Sequence, residues 1–424
     1  MITAIIFGSF LLAVFIGVPI AVSLLLGTVI PLSMFSNVPL TVIMQKMFAA
    51  IDSYSLMAVP FYIIAGGFLD KGGVSKRLVA FADSLVGWLP GGLAVVTFLA
   101  SAFFGAISGS AAATVAAIGS ILYPAMIEKG YDQKFALATI SIGGILGIII
   151  PPSIPMVLFG ISASVDVSKI FMGGFIPGFM LVAAMSIYSV IYGRHHHLET
   201  KKFDIKEVGR SLKDAFWALL MPLIILGGIY AGIVTPTEAA AVAIVYGLIV
   251  GFLIYKELTP KLLIKIVKDA VASSGQIMFI VAGASAFGYV MTRENIPTTV
   301  ANFITGVAGN YWQFYALIIV LLLFVGTFME VAPATMLLSP ILVPCISAYD
   351  INPVVFAVIF VCSLGVGLVT PPVGLNLYVA ANVGKCKFEN VVNKHLLIYM
   401  LSYLVVVILL VVFPILVSFL PDHM

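Results

Sequence analysis

Long apolar runs separated by short polar loops are the first pattern along this chain. Residues 1–45, 84–127, 135–165, 170–193, 295–329, 351–384 and 396–421 contain no Asp, Glu, Lys or Arg. A helix that crosses the hydrocarbon core of a bilayer needs about 20 such residues. Several runs therefore hold one helix each, and the run at 84–127 is too long for one. The spacing predicts about ten to twelve spans with further embedded segments. The amino terminus, MITAIIFGSFLLAVFIGVPIAV, has no Lys or Arg ahead of its apolar run and no small-residue cleavage site. It is expected to be a first spanning helix and not a removable signal. The longest polar stretch, 193–214, is too short for a core of its own, so no soluble domain is expected.

Composition agrees with the pattern. Sixty-two per cent of the 424 residues are apolar and 9% are charged, against about 25% charged in a soluble domain. The lipid bilayer is thus the solvent of most of the chain, and no nucleic-acid partner is expected. Basic residues gather at 71–77, 194–213 and 256–268. The positive-inside rule puts those loops in the cytoplasm. Cys345, Cys362 and Cys386 have no metal-ligand spacing and read as small packing residues.

The two sides of the polar 193–214 loop carry related patterns. GSILYP at 119–124 matches SPILVP at 339–344, and GIIIPP at 147–152 matches GLVTPP at 367–372, both at an offset of 220. Gly105 pairs with Gly326 and Thr114 with Thr335. The chain is expected to be a duplicated structure, the arrangement in which transporters place their sites at the repeat interface.

The twin prolines carry the physical content of the repeat. A proline inside a helix removes a backbone hydrogen bond and clashes with the preceding turn. In lipid, the freed carbonyls must be satisfied by protein, water or ions. Pro151-Pro152 and Pro371-Pro372 are therefore expected to break two helices. The small-residue segments upstream, 103–117 and 324–338, read as the tips of two re-entrant hairpins.

Two readings stand for Ser108-Gly109-Ser110: close helix packing through small residues, or hydroxyls and carbonyls holding a hard cation such as Na⁺. The break at 147–152 supplies more free carbonyls beside them. A second site would use Gly326, Thr327 and the break at 367–372. Glu330 is the sole acidic residue between 295 and 349, and an intramembrane carboxylate is a functional candidate. Arg293, with its planar fork, is a candidate holder of a carboxylate. Thr235-Pro236-Thr237-Glu238 reads as a capping box without chemistry. No phosphate-binding loop, H-E-x-x-H or G-x-S-x-G occurs, so neither ATP-driven pumping nor proteolytic or esterase chemistry has support. No enzyme is expected.

GIVTPTEAAAVAIVYGL (232–248), GIIIPPSIPMVLFG (147–160), FFGAISGSAAATVAAIG (103–119) and GLVTPPVGLNLYVA (367–380) closely resemble the large membrane (M) subunit of tripartite ATP-independent periplasmic (TRAP) transporters. The resemblance runs over nearly the whole chain and is strongest to the sialic acid branch. It implies an all-α, polytopic, elevator-type transporter with inverted repeats, two re-entrant hairpins and two discontinuous helices. Residues 1–85 and 215–270 would be scaffold. Residues 86–192 (hairpin 86–127, break near 147–153) and 271–424 (hairpin about 318–345, break near 367–373) would be transport repeats, joined by a cytoplasmic loop at 193–214. The implied partners are a small four-helix membrane (Q) subunit and a periplasmic substrate-binding (P) protein. The coupling ion would be Na⁺, held in one site by Ser108, Ser110, Gly147, Ile150 and Pro152. The other site would use Gly326, Glu330, Gly367, Thr370 and Pro372. Arg293 would meet the substrate, an organic anion entering across the bacterial inner membrane: sialic acid, or alternatively a C4-dicarboxylate. A passive anion channel is the competing class.

Overall fold

The computed structural model describes residues 2–35 and 38–423. Met1, Ser36 and Asn37, within the expected first scaffold segment, and Met424, within the second repeat, lie outside the described residues. Every regular element among the described residues is helical. Among the described residues, eight helices are long and apolar enough to cross a membrane, and two further bent pairs meet the same test. The bent pairs are Leu40–Ile51 with Ser55–Lys71, at 63°, and Gln133–Ile149 with Ile154–Ala163, at 42°.

The duplication is visible in the order of elements. The first half runs through Ile2–Phe15, Ile20–Phe35, the bent pair to Lys71 and the surface helix Val74–Val86. It continues with the hairpin Gly92–Ser108/Ala111–Glu128, the broken helix Gln133–Ala163 and Val167–His195. The second half repeats this with Ile205–Tyr230, Pro236–Ile249, Pro260–Arg293 and Ile296–Val307. The hairpin Tyr311–Phe328/Val331–Ile346, the broken helix Pro353–Gly384 and Lys394–Val412 follow. The match thus begins well upstream of residues 86 and 271. Gly27 in the first half and Gly247 in the second, also 220 apart, each let a neighbouring helix approach closely: Phe287 against Gly27, and Phe68 at 3.3 Å from a Cβ built on Gly247.

With the hairpin arms taken as re-entrant and the shorter helices Ile2–Phe15 and Ile20–Phe35 and the broken helix Pro353–Gly384 taken as crossings, each half has five crossings, an odd number, which would set the two halves in opposite orientations. Each hairpin enters and leaves on one side, so it does not alter the count. Along this path all of the 21 lysines and arginines except Lys46, Lys169 and Arg293 fall on one face. The positive-inside rule makes that face cytoplasmic, as expected for the loops at 71–77, 194–213 and 256–268. The connecting loop is held there by Lys201, which bridges Asp83 at 2.6 Å and Glu207 at 3.3 Å. Ser84 and Ser211 add a hydroxyl contact at 2.7 Å.

The halves interlock. Ile154–Ala163, the outer part of the first broken helix, packs on the second hairpin, where Ser339 donates to Ser162 at 2.9 Å. Leu375–Gly384, the outer part of the second broken helix, packs on Ala111–Glu128 of the first hairpin. The Thr235 capping box is present as expected. The cysteines Cys345 and Cys362 are buried, and no group of metal-ligating side chains occurs among the described residues.

Candidate transport site

Both proline pairs interrupt their helices as their chemistry requires. Helix stops at Ile149 and resumes at Ile154; it stops at Gly367 and resumes at Leu375. Pro151 and Pro152 lack the N–H groups that would reach the carbonyls of Gly147 and Ile148, four residues back. The Ile148 carbonyl accepts instead from the Ser153 hydroxyl at 2.5 Å, and no donor among the described residues reaches that of Gly147. In the second break, the Leu368 carbonyl accepts from the backbone N–H of Asn376 at 3.0 Å, and Gly367 from that of Thr370. The twin prolines thus leave the Gly147 carbonyl without a donor, whereas its repeat counterpart, Gly367, is satisfied by Thr370.

Each hairpin tip lies on the break of its own half. Ile154 donates its backbone N–H to Gly109 at 3.3 Å, and Gly374 donates to Thr327 at 3.2 Å. Gly109 is left-handed at φ +61°, which only a residue without Cβ adopts freely. Gly105 touches Gly147, and Gly326 touches Gly367.

At the first tip, oxygens gather around Gly147. The Thr114 hydroxyl donates to the Ser110 carbonyl at 2.8 Å and lies 3.2 Å from Ser108 Oγ. A Cβ on Gly147 would run into Thr114 Oγ1 and stand 2.6 Å from the Ser110 carbonyl. Ser108 is buried and Ser110 caps Ala111–Glu128. Ile150 and Pro152 are buried in the break. The second tip repeats the scheme with less oxygen: Thr335 donates to Val331 at 2.7 Å, one residue pair at an offset of 221 from Thr114 and Ser110. Thr370 turns its hydroxyl back to Val366 at 2.8 Å. Pro372 is exposed where Pro152 is buried.

The two tips and two breaks converge on one cavity of about 780 Å³. Ser108, Ser110 and Glu330 line it. So do Ala111, Ile154, Val331 and Leu375, each the first residue of a helix, so four helix N-termini face one space. Such ends favour anions. Glu330 has no ion pair or hydrogen-bond partner among the described residues. Across the cavity, Asp269, Ser273 and Gln276 come from one face of Pro260–Arg293. The cavity reaches Asp70, Lys71, Lys76 and Glu257 and therefore opens on the cytoplasmic face. There Arg77 bonds Glu257 at 2.7 Å and the Gly73 carbonyl at 2.8 Å, with its guanidinium 3.6 Å from the Tyr255 ring centre.

Residues 7–416 match the family model of the DctM component of tripartite ATP-independent periplasmic transporters. The chain belongs to that family. It is 42% identical over 387 residues to the isethionate TRAP transporter permease protein DctMQ of Oleidesulfovibrio alaskensis, covering 91% of this chain and 61% of that relative. To the C4-dicarboxylate TRAP transporter large permease protein DctM of Rhodobacter capsulatus it is 36% identical, covering 90% of each. To the sialic acid TRAP transporter large permease protein SiaM of Vibrio cholerae it is 35% identical, covering 96% of each. The fold resembles that of the Alcanivorax borkumensis YdaH transporter, with a TM-score of 0.66, 15% identity and 88% and 87% of the two chains covered.

Within this TRAP permease the structure gathers the sequence-derived residues in two groups. Ser108, Ser110, Gly147, Ile150 and Pro152 lie at the first tip and break, and Gly326, Glu330, Gly367, Thr370 and Pro372 at the second. Arg293 stands apart: it is exposed at the end of Pro260–Arg293, on the face opposite the cavity mouth, and does not line the cavity. Sequence reasoning gave no site role to Thr114, although a hydroxyl one helical turn after Ser110 was there to be read. It also missed the polar face of Pro260–Arg293, whose charges look like those of any helix end near an interface.

Proposed function

We propose that this TRAP permease carries a small hydroxylated organic anion inward across the bacterial inner membrane, coupled to Na⁺, with sialic acid as the representative substrate. The reading rests above all on the convergence of two hairpin tips and two proline breaks on one cavity. Two Na⁺ ions would sit behind the tips, one among Ser108, Ser110, Thr114 and the Gly147 carbonyl, the other beside Gly326, Gly367 and Thr370. The anion would lie between the tips. The hairpins and broken helices, interlocked as they are, would travel together against the remaining helices, in the manner of an elevator. A small four-helix membrane subunit and a periplasmic binding protein would complete the machine.

The charge in the cavity favours a monoanion. Its lysines are already engaged, Lys71 with Asp70 at 2.8 Å and Lys76 with Glu257 at 3.8 Å. Helix N-termini and co-bound Na⁺ supply the positive field, and Glu330 would repel a second anionic pole. Hydroxyl groups on the substrate would instead find Ser120, Ser273, Gln276 and Glu330. Isethionate and sialic acid, named for two of the relatives, are both hydroxylated monoanions. Two Na⁺ entering with one monoanion move one net charge inward, which at about 100 mV supplies roughly 2.3 kcal/mol, about 1.7 decades of accumulation, before the Na⁺ gradient adds its share.

The test is uptake into proteoliposomes holding the chain with its membrane partner and candidate binding proteins. Labelled sialic acid, isethionate and succinate are compared, in Na⁺ and in K⁺. Uptake of the first two that collapses in K⁺ is expected. Uptake indifferent to the cation would make the protein a passive pathway, and succinate carried as well as the monoanions would overturn the substrate class.

A further inference from the structure

Asn376 is fully buried one residue after Leu375, where the second broken helix resumes beside the cavity. It joins two places that the fold otherwise keeps apart. Its backbone N–H donates to the Leu368 carbonyl at 3.0 Å, the group left without a donor by Pro372. Its side-chain amide donates to the Ser141 carbonyl at 3.1 Å, on the helix that leads through Gly144 to Gly147 in the other half. Its Oδ1 is buried with no hydrogen-bond partner.

The repeat does not call for this residue. Met156 stands 220 residues before it, and the first break caps its own freed carbonyl locally, through Ser153. A buried amide oxygen without a partner is unfavourable, but the same amide supplies the donor that reaches the Ser141 carbonyl, since the Ile145 N–H goes to Ile142 instead. The reason for an amide here is thus the bond it makes between the halves. What the amide adds is a crossbar from the second break to the stem of the first.

We infer that Asn376 is a positioning residue that couples the two ion sites. Occupation of the site beside Gly367 and Thr370 moves the Leu368 carbonyl; Asn376 follows it and carries Ser141, and with it the Gly147 carbonyl, toward the geometry the second ion requires. The inference rests on the Na⁺ reading above and adds cooperativity to it.

Sodium titration of uptake by the reconstituted complex tests the coupling, with wild type, Asn376→Leu and Asn376→Asp. The aspartate variant keeps volume and polarity but loses the amide donor, so it carries the test if the leucine variant fails to assemble. Wild type is expected to respond with a Hill coefficient near two. Both variants are expected to fall to about one, with half-saturating Na⁺ raised about tenfold. A residue needed only for folding would lower the maximal rate and the yield of complex and leave the Hill coefficient alone. Variants as cooperative as wild type would overturn the coupling. A wild type indifferent to Na⁺ would overturn the ion reading itself, before any variant is compared.

Discussion

Gly326 and Gly367 meet backbone to backbone: a Cβ added to Gly326 would stand 3.0 Å from the Gly367 Cα and 2.6 Å from the Leu364 carbonyl. Gly105 and Gly147 stand in the same relation, at 2.9 Å. Gly105→Ala and Gly326→Ala should therefore each force backbone apart and destabilise by about 1–3 kcal/mol, with uptake lost. Gly275→Ala, where nothing lies within 4 Å, should change stability by no more than about 0.5 kcal/mol. Thermal unfolding of the three variants checks both halves of the expectation.

Thr114→Val removes the hydroxyl that reaches both Ser110 and Ser108. Half-saturating Na⁺ should rise about tenfold, equivalent to about 1.4 kcal/mol, and Thr114→Ser should restore it. If valine leaves the Na⁺ curve of uptake in place, the first oxygen cluster is packing and not an ion site.

Glu330→Gln keeps the shape of the second tip and removes its charge. With no protein partner to lose, the variant should unfold within about 0.5 kcal/mol of wild type. Initial uptake should nonetheless drop at least about tenfold, the scale of a hydrogen bond to a charged group. Rates equal to wild type would exclude a part for this carboxylate in transport.

Lys201, held by Asp83 and Glu207, has its amine pushed above the usual lysine range despite the opposing effect of partial burial. A raised pKa means that the contribution to stability is complete below the ordinary lysine value and disappears only as pH climbs through the raised one. Lys201→Met should therefore lower stability by about 0.2–1 kcal/mol, evenly across neutral pH, and less so in high salt. Melting curves at pH 6, 7 and 8 would expose any pH trend.

Orientation has its own test. Asp350→Cys lies on the face poor in basic residues and Lys201→Cys on the face rich in them. A membrane-impermeant thiol reagent should label the first in intact spheroplasts and the second only after permeabilisation.

Much of this was legible in the residues. Twin prolines have no other stable place in an apolar run than a break, and the break is where they stand in both halves. Small residues at 105–110 announced a tip that backbone must approach closely. The full reach of the duplication was not legible, since Ile20–Phe35 and Pro236–Ile249 share almost no letters; what they share is a glycine aligned with a helix crossing. Arg293 misled because a lone guanidinium near a helix end says nothing of which membrane face that end meets. Asn376 gave one weak signal, an amide within an apolar stretch that also holds Asn352 and Asn382, and its partner Ser141 offers only a main-chain carbonyl, which no side chain betrays.

The exchange of outer helix segments between the halves bears on how such a chain could arise. Residues 1–204 alone would leave their hairpin without Leu375–Gly384, the segment that covers it here. A second copy inserted upside down would supply its counterpart. An ancestor of half this length is thus expected to have functioned as a pair of opposed subunits before fusion. Separately expressed halves of the present chain should then find each other in one membrane and co-purify, while either half alone is degraded.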